Sequence, residues 1–191
     1  MERVFFENKV FENLIITNNP LAAGDYETCA FRNCNFSDSD LSGINFSECE
    51  FTECNLSLVK LGKTTFRDTR FDKCKLLGLH FEDCNDLMIS FEFIECQLSV
   101  CSFFRLKVKK TRFIKSEITE VDFTETDLSN SLFEECDLRH TTFSKTNLEK
   151  ADFRTSFNYS IDPEHNRIKK AKFSPAGLAG LLEKYDIEIE S

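Results

Sequence analysis

From Cys29 to Phe51 the chain reads CAFRNCNFSDSDLSGINFSECEF, and a large apolar residue recurs there at every fifth position. We call each of these residues the centre of a pentad; the centres are Phe31, Phe36, Leu41, Phe46 and Phe51. The residue two positions before each centre is small or apolar. A period of five fits neither an α-helix, with about 3.6 residues per turn, nor a strand, which alternates. The pattern therefore predicts a chain that winds around its own core, with two inward-pointing positions in each pentad.

The same phase extends along nearly the whole chain. Centres recur every five residues from Phe6 to Phe91 and, after a shift of two residues, from Leu98 to Phe173, with few interruptions. We expect this register shift to lie within residues 92–95. So long a phased series predicts one continuous repeat domain over residues 1–173.

The number of pentads in one coil follows from a longer stride. A stride of 20 residues collects Phe11, Phe31, Phe51, Phe71 and Phe91, and after the shift Phe113, Phe133, Phe153 and Phe173. This column predicts four pentads per coil and about eight coils, which at a strand spacing of about 4.8 Å give a rod about 40 Å long. The predicted fold class is an all-β solenoid with four sides.

Residues 174–191 are predicted to cover the last coil with a short helix and a strand. Ser174 is a good N-cap, and Pro175 suits the first helical position. Apolar side chains follow at helical spacing, and residues 186–190 then alternate as a strand does. We expect this segment to form a homodimer contact through Leu178, Leu181, Leu182, Tyr185, Ile187 and Ile189.

Composition limits the possible functions. The 191 residues suit one domain, and a formal net charge of −9 argues against general nucleic-acid binding. No apolar run approaches the roughly 18 residues of a membrane span, and the N-terminal residues lead into no signal-peptide core. We therefore expect a soluble cytoplasmic protein that binds neither nucleic acid nor membranes directly.

Nine cysteines raise the question of a metal site. Cys29, Cys34, Cys49 and Cys54 have a paired C-x4-C spacing that could hold zinc. All nine cysteines, however, lie two residues before a centre, where a free thiol serves as a compact buried apolar group. We therefore expect no metal and no cofactor.

The sequence also lacks the elements of a catalytic site. His80, His140 and His165 are scattered, and the six glycines form no phosphate-binding loop. A convex rod with a filled interior offers no partly desolvated cleft in which pKa values could be shifted for catalysis. We expect the protein not to be an enzyme.

Several pentads resemble a known family motif. Ser39-Asp40-Leu41, Thr126-Asp127-Leu128 and Ala151-Asp152-Phe153 are similar to the A(D/N)LXX motif of the pentapeptide repeat family. The resemblance covers about residues 4–173 and implies a right-handed quadrilateral β-helix. The C-terminal end also resembles that of the quinolone-resistance (Qnr-type) branch, whose members dimerise there and bind type II DNA topoisomerases by imitating duplex DNA. Many of those proteins carry longer projecting loops that this sequence lacks, so no loop residues are carried over.

Acidic residues gather in two stretches that we call the first and second acidic bands. The first band comprises Asp38, Asp40, Glu48, Glu50 and Glu53, and the second comprises Glu117, Glu120, Asp122, Glu125, Asp127, Glu134, Glu135 and Asp137. Basic residues dominate the stretches that follow the first band and precede the second. Because a coil contains about 20 residues, each stretch predicts a charged band around the rod. The bands either bind a partner or are solvated surfaces that offset each other.

Three functions agree with these features. The first is a DNA mimic that binds DNA gyrase or topoisomerase IV and protects it from quinolones, as the resemblance implies. The second is an interaction scaffold for another protein partner, which would use the banded charge for specificity. The third is a structural rod that assembles with itself.

Overall fold

The computed structural model describes residues 3–16 and 20–188 and forms a right-handed quadrilateral β-helix. Its short strands are β1 (Val4–Glu7), β2 (Val10–Glu12), β3 (Gly24–Glu27), β4 (Ala30–Arg32), β5 (Asn45–Ser47), β6 (Glu50–Thr52), β7 (Thr65–Arg67), β8 (Thr69–Asp72), β9 (Lys75–Leu77), β10 (Phe91–Ile94), β11 (Gln97–Ser99), β12 (Arg112–Ile114), β13 (Glu117–Thr119) and β14 (Leu132–Glu134). One 3₁₀ turn lies at Phe81–Asp83.

Parallel pairing between successive coils produces four faces, which we number in chain order. The first face contains β1-β3-β5-β7, and the third contains β9-β11-β13. The second face contains the seven even-numbered strands, in the order β2-β4-β6-β8-β10-β12-β14. On the fourth face the coils are joined by isolated bridges, such as the bridge between Asp40 and Lys60. Because each inner coil pairs with the coils on both sides, its backbone N–H and C=O groups are satisfied along the rod.

The stride of 20 residues is confirmed by the strand register. On the second face Phe11 pairs with Phe31, Phe31 with Phe51, and Phe51 with Phe71. Successive rings in this column are stacked, for example at 4.7 Å between the centroids of Phe31 and Phe51. This distance matches the spacing of paired strands, so the backbone ladder and the aromatic column support each other.

The register shift lies earlier than residues 92–95, so that prediction was wrong. Phe93, not Phe91, pairs with Phe71, and the Phe71 and Phe93 rings stack at 5.4 Å. Phe91 instead pairs with Thr69, at the position two before the centre. The sequence misleads here because two phenylalanines two residues apart can each fill an inward-pointing slot.

The two additional residues are accommodated in a small loop at residues 85–90, at the corner before β10. The loop stacks on the preceding coil, because the Asn85 amide donates to the carbonyl of Thr64 at 2.8 Å. Ile89 is buried, whereas Leu87 and Met88 point to solvent with 67% and 66% of their surface exposed. The loop is therefore an outward bulge within the continuous coil.

Sharp corners between the faces depend on one repeated backbone conformation. The residue two positions after nearly every centre has a positive φ, from Asn8 at 53° to Lys170 at 62°. Non-glycine residues pay a conformational cost for this left-handed geometry, which the ladder pairing on both sides of each corner offsets. The corner side chains project outward and belong to the protein's contact surface.

The strands account for about six turns, against the eight predicted. The seven strands of the second face end with β14. Beyond β14 the coil continues through isolated bridges, such as Asp152 with Lys172, rather than through strands. The difference therefore reflects how regular the last coils are.

The last coil departs from the simple count of five. Asn158 and Pro163 occupy the expected centre positions, but Tyr159 and Ile161 are the buried residues there. Tyr159 packs against Phe153 and Phe173, with ring centroids 5.7 Å away in both cases. The C-terminal segment lies on this rearranged coil, since the Ile161 amide donates to the carbonyl of Gly180.

The C-terminal segment is helical over residues 175–185. It consists of a 3₁₀ turn at Pro175–Leu178, the helix α1 at Ala179–Leu182 and a second 3₁₀ turn at Glu183–Tyr185. The N-cap prediction for Ser174 agrees with the structure, since its hydroxyl accepts a hydrogen bond from the Gly177 amide at 3.2 Å. The expected strand is not formed at residues 186–188, and its remaining residues, with Ile189, lie outside the described part of the chain.

Candidate interaction surfaces

The residues of both acidic bands occupy the outward-pointing positions of the coil. One group lies at the left-handed corners: Asp38, Glu48, Glu53, Glu120, Glu125 and Glu135. Another group lies directly before a centre: Asp40, Glu50, Glu117, Asp122, Asp127 and Asp137. Glu134 follows a centre. Each band therefore surrounds the rod across several faces, and neither is gathered on one face.

Part of the second band forms a continuous acidic patch where the third face meets the fourth. We call Glu117, Glu120, Asp122 and Asp137 the acidic patch; Glu117 and Asp137 are bridged between neighbouring coils. Among the described residues, Glu117, Glu120 and Asp122 form no ion pair. The preceding coil offers Gln97, Val100 and Ser102 at the matching positions, all uncharged.

Other carboxylates in the bands are neutralised by neighbouring coils. Arg70 lies between Glu50, at 3.5 Å, and Glu92, at 3.9 Å, on the second face. Glu125 on the fourth face contacts Arg105 at 2.7 Å and Lys145 at 3.8 Å. These exposed pairs contribute little stability, but they remove much of the negative field at their positions. The alternating bands thus offset each other on the second face; in the acidic patch Arg139 pairs with Asp137, whereas Glu117, Glu120 and Asp122 remain without an ion pair among the described residues.

The cysteines line the interior, as the repeat predicts. All nine are buried free thiols, and Sγ of Cys54, Cys74 and Cys96 donates to a centre carbonyl one coil earlier at 3.2–3.4 Å. Burial raises the pKa of Cys49 to about 12 and that of Cys136 to about 11. Since the thiolate is the reactive form, these thiols are inert in the folded chain.

Thiol reactivity tests this packing. We expect a water-soluble aromatic disulfide reagent to modify none of the nine cysteines of the folded protein within an hour, and to modify all nine in guanidinium chloride. Absorbance of the released thiolate measures both numbers. Fast stoichiometric modification in native buffer would mean that at least one thiol faces solvent.

The described residues show no assembled metal site. His80, His140 and His165 lie on different coils and are exposed. Within residues 3–16 and 20–188 no group of three or more His, Cys, Asp or Glu side chains is placed to hold a metal ion. The three histidines are thus distributed over the outer wall.

An ionic cluster attaches the helical segment to the last coil. Nζ of Lys184 lies 2.7 Å from both Asp162 and Glu164. The Tyr185 hydroxyl donates to Glu164 at 3.1 Å, and Nδ1 of His165 lies 2.5 Å from Asp162. The hydrogen bond from Lys184 holds the pKa of Asp162 well below its usual range, and the hydrogen bond from His165 has a smaller effect in the same direction. Lys184 also lowers the pKa of Glu164.

Acid is expected to release this cluster. Because the pKa values of Asp162 and Glu164 are lower in the folded state, the unfolded chain binds more protons at low pH. The cluster therefore stabilises the folded state fully above about pH 5, and this stabilisation is lost as the pH falls through about 4 and below. NMR titration of the Asp162 side chain measures the effect directly. In a Lys184→Met variant its midpoint should move up, towards the usual value near 3.9. An unchanged midpoint would show that Lys184 does not hold the carboxylate.

The expected dimer residues divide into an exposed and an inward-facing group. Leu178, Leu182, Tyr185 and Ile187 are exposed, at 49%, 36%, 52% and 54%. Leu181 instead packs against the core, so it supports the segment and does not face a partner. Beside the exposed side chains lies a cleft of about 780 Å³, lined in part by Tyr159, Leu182 and Ile187.

These features define a protein class: a convex β-solenoid with a filled interior and a short helical segment at its C-terminal end. Comparison with known families agrees, since the model described as a pentapeptide repeat region matches residues 25–92 and 87–157. The chain belongs to the pentapeptide repeat family.

Solved structures of QnrB1, described as a plasmid-mediated fluoroquinolone resistance protein, share the fold. One trypsin-treated variant superposes with a TM-score of 0.55 at 17% sequence identity, covering 98% of this chain and 98% of that chain. A second trypsin-treated variant gives a TM-score of 0.54 at 21% identity, covering 98% of this chain and 92% of that chain. Comparison with curated protein sequences finds no significant match. None of the helices within residues 3–16 and 20–188 has the length and apolar character that a membrane crossing requires.

Proposed function

We propose that this protein is a non-enzymatic DNA mimic of the cytoplasm that binds a type II DNA topoisomerase, DNA gyrase or topoisomerase IV, and protects it from quinolones. The acidic patch is the observation that carries the proposal. Glu117, Glu120 and Asp122 project from neighbouring outward positions and form no ion pair within the described residues; the neighbouring base Arg139 is paired with Asp137. A rigid rod that presents unpaired carboxylates offers a topoisomerase a substitute for the phosphates of duplex DNA.

Rigidity supports this role. The patch lies on corners and edges whose backbone is paired to the coils on both sides, as in the bond from the Glu120 amide to the carbonyl of Arg139 at 3.0 Å. A partner therefore meets charges that are already fixed in place, and ordering the backbone adds no entropic cost on binding.

A supercoiling assay tests the proposal. DNA gyrase is inhibited with ciprofloxacin and titrated with the protein; we expect micromolar protein to restore supercoiling, or to inhibit gyrase in the absence of the drug. A variant with Glu117→Gln, Glu120→Gln and Asp122→Asn should lose the effect. Glu12→Gln, Glu53→Gln and Glu134→Gln remove the same charge from the second face and serve as the control. Neither rescue nor inhibition by the unmodified protein would refute the proposal.

We also propose a homodimer through the C-terminal segment. Its exposed apolar side chains lie beside a cleft at the end of the rod, where no further coil covers them. In about 0.5 M NaCl, which screens contacts between charged groups, Leu178→Asp with Leu182→Asp should yield a monomer in sedimentation velocity, since both side chains are exposed and neither supports the core. An unchanged dimer would place the contact elsewhere.

The alternative is a scaffold for another protein partner. It is favoured by Leu58 and Val100, two apolar corner residues of the third face that are 58% and 61% exposed and have no counterpart in a DNA backbone. A pull-down in high salt separates the two functions, because a partner held by these residues remains bound when charge contacts are screened.

A further inference from the structure

The first face divides into two halves of opposite charge. Its first half, up to the corner after β7, carries the acids Glu7, Asp25, Glu27, Glu48 and Asp68 with the base Arg67, while Arg3 and Lys63 lie at the corner that precedes the face. Its second half carries the bases Lys107, Lys109, Lys110, Lys150, Arg167, Lys169 and Lys170 with only Asp127 and Glu149 as acids. The face is therefore bipolar along the axis of the rod.

Internal ion pairs do not cancel this separation. Lys109 pairs with Asp127 at 3.3 Å, and Arg167 pairs with Glu149 at 2.9 Å. Both acids of the second half, Asp127 and Glu149, are therefore in ion pairs. The remaining lysines of that half form no ion pair within the described part of the chain: Lys107, Lys110, Lys150, Lys169 and Lys170. The same holds in the first half for Glu7, Glu27 and Glu48.

The loop at residues 85–90 lies midway between the halves. Four coils precede it on this face, at residues 5, 25, 45 and 65, and four follow it, at residues 107, 127, 147 and 167. Ser90 Oγ donates to Asp68 at 2.9 Å, which fixes the end of the loop to the first half. The loop directs Leu87 and Met88 outward at this midpoint.

We propose that the first face binds the first face of a second copy in antiparallel orientation, around a two-fold axis that passes near Leu87 and Met88. Such an axis places the acidic half of each copy against the basic half of the other and brings the two apolar loops together. This is the self-complementary arrangement that a two-fold interface requires. It also reproduces the usual interface anatomy of an apolar centre with a charged rim.

The bipolar charge distinguishes a second copy from other occupants. A nucleic acid or an acidic protein would be attracted by the basic half and repelled by Glu7, Glu27 and Glu48. A second copy matches both halves. A shallow groove of about 270 Å³ runs along the acidic half between Phe5 and Leu87, lined by Asp25, Asn45 and Thr65, and it can receive lysine side chains of the partner.

The dimensions predict a weak, salt-sensitive complex. A face about 40 Å long and roughly 15 Å wide gives on the order of 600 Å² per copy, or about 1,200 Å² in total, at the lower limit for specific interfaces. Because charged groups form most of the rim, raising NaCl from about 0.05 M to 0.5 M should weaken association at least tenfold. The third face, with its part of the acidic patch, stays free on both copies.

Charge reversal with rescue tests the proposal. All chains carry Leu182→Asp, which removes the proposed C-terminal contact. One chain adds Glu7→Lys and Glu27→Lys, and a second adds Lys150→Glu and Lys170→Glu. Sedimentation velocity should show self-association weakened at least tenfold in each, because like charges now face each other. An equal mixture of the two should associate at least as tightly as the parent, since both pairs of halves are again opposite in charge.

Matched controls change the same net charge on other faces. Glu134→Lys with Glu135→Lys controls for the first chain, and Lys73→Glu with Lys75→Glu, beside and on the third face, for the second. Equal weakening in the controls, or a mixture no stronger than its separate components, would overturn the proposal. So would a duplex DNA that binds the parent and competes with self-association, because the face would then be a phosphate-binding surface.

The apolar centre is tested separately. In a Leu87→Cys variant, mild oxidation should join two copies by a disulfide, because the two thiols meet near the axis, while the native cysteines remain buried. Thr155→Cys, exposed on another face, is the control. A covalent dimer that forms no faster at position 87 than at position 155 would contradict the two-fold arrangement.

Discussion

Phe113→Ala is expected to destabilise the protein by about 3–5 kcal/mol, the range for removing a fully buried ring from a core that cannot collapse around the cavity. Phe113 is 0% exposed, and its ring stacks between Phe93 at 5.2 Å and Phe133 at 4.7 Å. The coils on both sides are held by backbone ladders at strand spacing, so they cannot move inward to fill the gap. Equilibrium unfolding in urea measures the change.

A matched control lies on the outer wall of the first coil. Phe5 is 61% exposed, so Phe5→Ala should change the free energy of unfolding by less than about 0.5 kcal/mol. Because solenoid stability is a sum of neighbouring contacts, the loss at Phe113 should also lower the cooperativity of unfolding. A change at Phe113 no larger than that at Phe5 would contradict the stacked column.

Gly180→Ala is expected to detach the helical segment from the last coil. A Cβ on Gly180 would lie 2.1 Å from the carbonyl oxygen of Tyr159, and backbone atoms at that distance must move apart. The approach exists because the Ile161 amide donates to the Gly180 carbonyl at 2.9 Å. The substitution therefore breaks the hydrogen bond that joins the segment to the coil.

Hydrogen exchange at the Ile161 amide measures this detachment. We expect exchange to be at least tenfold faster in Gly180→Ala, equivalent to about 1.4 kcal/mol or more of lost protection. Ala179→Gly, at the neighbouring exposed position, should leave the exchange rate of Ile161 nearly unchanged. Equal protection in both variants would mean that the segment does not need the close approach at residue 180.

Most of the fold can be predicted from the sequence because its period is repeated so many times. Each centre supports the same phase, so the column from Phe11 to Phe71 and the burial of the cysteines both follow from counting. Counting in fives fails at the register shift, where two additional residues separate successive centres. Phe91 and Phe93 both fit an inward slot, and only the pairing of Phe93 with Phe71 across the coils decides between them.

The contact surfaces are harder to predict than the core. A stretch of acids in the sequence surrounds the whole rod, so it does not reveal the net charge of one face. The bipolar first face becomes visible only when residues are aligned across the loop at residues 85–90, whose position the sequence leaves ambiguous. Leu181 was also expected in the dimer contact from its helical spacing, yet it lies on the side of α1 that packs against the core.

The central functional claim is that the acidic patch occupies the DNA-binding surface of a topoisomerase. Competition binding tests it most directly: gyrase is immobilised, the protein is added at fixed concentration, and short duplex DNA is titrated. We expect gyrase to bind the protein and DNA to displace it, with binding lost when Glu117, Glu120 and Asp122 are neutralised. Absence of binding, or binding that saturating DNA leaves unchanged, would contradict it.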